Sequence, residues 1–85
     1  MIQREMELLD QLSQEVLELC PEAVIEEVVR SPEGMLIMYV RVPDDETDEW
    51  LGSKMAERST DILLEEGLSI GVATHYVETA ESVAT

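Results

Sequence analysis

The chain has 85 residues, 20 of them acidic against five basic, for a net charge of −15, with 45% apolar residues and no phenylalanine. That length suits one domain around one hydrophobic core, and the apolar fraction excludes a disordered chain. The charge excludes direct binding to nucleic acid or an anionic membrane surface, since both would repel it.

Residues 2–19 read as an amphipathic helix. Ile2, Met6, Leu9, Leu12, Val16 and Leu19 recur at three- and four-residue steps beside Leu8 and Cys20, while Gln3, Glu7, Gln11, Gln14 and Glu18 take the opposite side. Pro21 stops the helix, because a residue before proline is pushed out of the helical region. Two strands follow, Val24–Arg30 and Met35–Val42, joined by Ser31-Pro32-Glu33-Gly34, whose proline and glycine suit a tight turn. Pro43 closes the second strand because it lacks the amide a ladder needs.

The run Asp44-Asp45-Glu46-Thr47-Asp48-Glu49 leads into a second helix expected over 48–66, capped by Thr47 or Asp45. Leu51, Met55, Ile62 and Leu63 form its apolar stripe, and Gly67 supplies a left-handed stop. Leu68–Val77 reads as a third strand. Residues 1–77 thus make a single α+β domain, with 78–85 expected as a flexible tail.

The order α-β-β-α-β predicts a two-layer sandwich, a three-stranded sheet with both helices on one face and a parallel crossover through the second helix. It resembles the element order of small ferredoxin-like modules, such as the cytosolic domain of cation-efflux transporters and the N-terminal domain of a ribosome maturation factor. The resemblance is one of topology. The metal-binding histidines of the former have no counterparts here, and the RNA-facing role of the latter conflicts with a charge of −15.

One sheet face stays uncovered in this layout. On the third strand Leu68, Ile70 and Val72 alternate with Ser69, Gly71, Ala73 and His75. On the second, Leu36, Met38, Val40 and Val42 alternate with Met35, Ile37, Tyr39 and Arg41. Whichever set points inward, the outer face keeps apolar residues, unlike a solvated face that alternates cleanly to polar.

Catalytic chemistry finds little material. The chain has one histidine, His75, and one cysteine, Cys20. Cys20 excludes an internal disulfide framework and sits on the apolar side of the first helix, where a small thiol packs as a hydrophobe. His75 lacks a sequence partner for nucleophilic or zinc chemistry. Asp44, Glu46 and Asp48 have the spacing that begins a calcium loop, but Glu49 and Met55 stand where that loop needs Gly and Glu. Gly52-Ser53 lacks the glycine pattern of a phosphate loop and follows a run of acids; Gly52 instead suggests close packing. Arg58 lies near the apolar stripe of its helix, positioned to reach a carboxylate.

Three readings of the acidity compete: a solubilising surface, adaptation to high salt, and docking on a basic partner. Charged residues at positions 4, 5 and 7 argue against a secretory leader, and no apolar run approaches the ~20 residues a membrane helix needs. The reading is therefore a cytoplasmic, non-enzymatic protein–protein interaction module without cofactor or metal, forming a homo-oligomer or joining another chain. Ile37, Tyr39, Arg41, Ala73 and His75 form its expected contact surface. The acids Asp44, Asp45, Glu46, Asp48 and Glu49 set its electrostatic preference. The alternatives are an acidic inhibitor of a basic, nucleic-acid-binding partner and a metal-binding or small enzyme subunit completed by a second chain.

Overall fold

The computed structural model describes residues 3–76. The elements run α1 (Gln3–Leu19), β1 (Val24–Arg30), β2 (Leu36–Val42), α2 (Asp45–Glu66) and β3 (Ile70–Tyr76). The sheet order is β1-β2-β3, with β1 antiparallel and β3 parallel to the central β2. The expected α-β-β-α-β sandwich is therefore present. The expected tail at 78–85, and Ile2 and Val77 at the ends of expected elements, lie outside the described residues.

The core joins Leu8, Leu12 and Val16 of α1, Leu51, Met55 and Ile62 of α2, Ile70 of β3 and the whole set Leu36, Met38, Val40 and Val42 of β2. Both helices thus cover one face of β2, and the apolar period of two along that strand decides which face. The core is aliphatic throughout. Cys20 is buried in it as a free thiol, as the sequence suggested.

Several boundaries and stripes differ from the sequence expectation. In α1 the buried line is Glu5, Leu8, Leu9, Leu12 and Val16. Met6 lies on its flank, 57% exposed, and Leu19 ends the helix exposed. Glu5 is tolerated inside the line because Arg30 of β1 donates to its Oε1 at 2.9 Å. In α2 Leu63 is exposed rather than packed. α2 starts at Asp45, three residues before the expected position, and its cap is Asp44 instead of Thr47 or Asp45. The ladder begins at Leu36, not Met35, and β3 at Ile70, not Leu68; Leu68 still packs against the core.

The hairpin turn closes with Gly34 N–H on Ser31 C=O at 2.8 Å and Ser31 N–H on Met35 C=O at 2.7 Å. Gly34 takes φ +92 there, in the region that favours glycine. Gly67 ends α2 in the left-handed conformation, its N–H bonded to Leu63 C=O. No helix among the described residues is long and apolar enough to cross a membrane.

Candidate surface on the uncovered sheet face

In register, Ile37 pairs with Gly71, Tyr39 with Ala73 and Arg41 with His75. Residues paired in a ladder share a face, so the structure brings Ile37, Tyr39, Arg41, Ala73 and His75 together on the side opposite both helices. On β1, Val29 stands beside Ile37 and Glu27 beside Tyr39. The result is apolar ground of Val29, Ile37, Tyr39, Gly71 and Ala73. The Met35 methyl group lies against it, so a Cβ on Gly71 would meet Met35 Cε at 2.7 Å.

A β-bulge shapes the far end of this ground. Ile25 pairs with Val40 and Glu27 with Tyr39, leaving Glu26 as the extra residue. A bulge bends its strand and re-aims a side chain. Here Glu26 bonds to His75 Nε2 through Oε1 and lies 3.8 Å from Arg41 Nη1 through Oε2. Glu26 thus draws side chains of all three strands together. Glu26, Glu27 and Tyr39 line a shallow depression beside this cluster.

Sequence reasoning missed Glu26. The signal was the adjacent Glu26-Glu27 pair, which breaks the alternation of an otherwise apolar strand. Two neighbouring residues face the same way only across a bulge.

The acids Asp44, Asp45, Glu46, Asp48 and Glu49 lie off this surface, at the start of α2. Asp44 Oδ1 accepts the Thr47 N–H at 2.8 Å, and this backbone hydrogen bond holds the Asp44 carboxyl below the ordinary carboxylate range. Asp45, Glu46 and Asp48 occupy the first turn, where negative charge suits the helix dipole. Thr74 Oγ1 donates to the Asp48 carbonyl at 3.3 Å, tying the run to β3. A Cβ on Gly52 would meet that same hydroxyl at 3.0 Å, so the glycine does serve close packing. No group of three or more His, Cys, Asp or Glu among the described residues is arranged to hold a metal ion.

The remaining arginines are also held by carboxylates of their own chain. Arg4 bonds Glu66 and Glu7, Arg30 bonds Glu5, and Arg58 bonds Glu15 of α1 at 2.9 Å, a carboxylate within the reach its position suggested. The Arg4 guanidinium holds the Glu66 carboxyl below its ordinary value. With every arginine so paired, the described surface gathers no basic patch of the kind that binds phosphate.

The fold and surface define a small α+β sandwich of the ferredoxin-like-related kind with one bare, partly apolar sheet face. No protein-family model, curated protein or solved structure matches the chain.

Proposed function

We propose that this protein is a non-enzymatic interaction module of the cytoplasm that associates with a second copy of itself through its sheet. The observation that carries this reading is the outer surface of β2 and β3. There Ile37, Tyr39, Gly71 and Ala73 are contiguous, and Arg41 lies beside Glu26. On a chain of −15, the β3 side of the sheet, whose strand carries no carboxylate, is where two copies meet with least repulsion. Small domains also gain from association, because a chain of this size buries a smaller share of its surface alone than a large one does. The buried single thiol suits a reducing compartment.

Light scattering coupled to size exclusion tests the reading over micromolar to millimolar protein. Self-association should grow with concentration and with added salt, because salt screens the repulsion between two acidic copies. A strict monomer at every concentration overturns it.

A second reading has its own observation. The exposed acids Asp44, Asp45, Glu46 and Glu49 stand at the end of the sheet where Arg41 and His75 lie, the place for a basic partner to dock. Such a complex weakens with salt, the opposite sign.

A further inference from the structure

The two edges of the sheet differ in kind. β1 carries Glu26, Glu27, Arg30 and a bulge, the devices that keep a strand edge from pairing with another chain. β3 runs from Ile70 to Tyr76 without a carboxylate, a proline or a bulge. Among the described residues no strand lies on its other side.

The ladder also tells which groups β3 presents. Leu36 N–H donates to Ser69 C=O at 3.0 Å, and the parallel register then advances without interruption from Leu36 with Ile70 to Val42 with Tyr76. Alternate residues of a strand turn both main-chain groups to the same side. The groups of Gly71 and Ala73 therefore point to β2, and those of Val72 and Thr74 point to the free edge.

We propose that a second copy adds at this edge, β3 antiparallel to its counterpart about a two-fold axis at Ala73, so that two three-stranded sheets become one continuous sheet. The proposal rests on the self-association reading above and names its geometry. Ala73 is the middle residue of β3, and an axis there sets Val72 and Thr74, whose main-chain groups face the edge, against each other. Val72 opposes the partner's Thr74 and exchanges both N–H···O=C bonds with it. Ala73 opposes its own counterpart as a non-hydrogen-bonded pair, Cα atoms ~4.5 Å apart. The small side chain of Ala73 leaves the outer side of the seam uncrowded at the axis.

Charge selects a second copy over a basic partner here. β3 offers no carboxylate for a basic partner to pair with. For two chains of −15 it is also the edge at which strand meets strand without acid facing acid. The same operation at β1 would bring Glu26 and Glu27 of both copies together.

The test joins cross-linking to amide exchange. With Cys20 replaced by Ala, the Ala73→Cys chain should form a covalent dimer on mild oxidation, since ~4.5 Å lies within the Cα range of a disulfide. A Val28→Cys control on the opposite edge should not. In the wild-type chain the amides of Val72 and Thr74 should slow in exchange as concentration rises. Thr74→Pro, checked for folding by circular dichroism, should weaken association about tenfold or more, because each dimer loses two edge hydrogen bonds. A wild-type dimer without the Ala73→Cys cross-link, and with Val72 and Thr74 exchange independent of concentration, overturns the edge geometry and leaves self-association standing. A wild-type chain that stays monomeric overturns both.

Discussion

Glu26 and His75 lie 49 residues apart in the chain and bond to each other across the uncovered face of the sheet. The contact exists because a bulge in β1 turns Glu26 outward while the parallel pairing of β3 sets His75 beside Arg41. It is a surface pair, with side chains 42% and 34% exposed. A double-mutant cycle of Glu26→Gln and His75→Gln should therefore give a coupling of about 0.2–1 kcal/mol in chemical denaturation. A coupling of several kcal/mol would mean that the cluster is far less hydrated than its exposure implies.

The core prediction separates residues that the sequence pattern grouped together. Leu12 and Met6 belong to the same expected stripe, yet Leu12 is fully buried and Met6 is 57% exposed. Leu12→Ala should cost about 2–5 kcal/mol, and Met6→Ala less than about 0.5 kcal/mol. Denaturant midpoints of the two variants check this. Equal losses would mean that α1 is rotated about its axis relative to the packing described here.

The cap of α2 makes a pH-dependent prediction. In the folded chain the Asp44 carboxyl lies below its ordinary value because the Thr47 backbone N–H bonds the charged form. Its contribution is therefore complete above the unfolded carboxylate pKa and drains away as pH falls through the lower folded value. Glu66, held by Arg4, adds in the same direction. Thermal melts should show Asp44→Ala below wild type near neutral pH, with the gap closing in acid. A gap that stays constant down to the acid limit would contradict the charged cap.

Much of this architecture was legible in the sequence, for identifiable reasons. The period of two in Leu36, Met38, Val40 and Val42 against Ile37, Tyr39 and Arg41 separated the two faces of β2, and burial of the first set settled which points inward. The outer grouping with Ala73 and His75 followed from the parallel crossover. The early start of α2 was hidden because Asp45, Glu46 and Asp48 carry no apolar period; there the cap and the helix dipole hold the turn. The bulge at Glu26 was hidden because a local pattern shows that alternation breaks without showing what stands opposite. Register comes from pairing, and pairing is not local. Leu63 and Met6 were misplaced because a helical period fixes an azimuth without fixing how far the sheet beneath extends.

The charge makes a prediction about partner class. Each arginine is bonded within its own chain, so short nucleic acids should show no measurable binding even at low salt, where electrostatic attraction is strongest. Fluorescence anisotropy with labelled single- and double-stranded oligonucleotides checks this. Micromolar binding that fades with salt would require a basic surface absent from residues 3–76.

In the proposed assembly two copies join through the sheet at its β3 side. Sedimentation equilibrium on the wild-type chain and on Thr74→Pro, at low and high salt, tests it most directly. The predicted result is a wild-type dimer that tightens with salt and a Thr74→Pro chain that is folded yet shifted toward monomer. A wild-type chain that sediments as a monomer at millimolar concentration in both salts would contradict it.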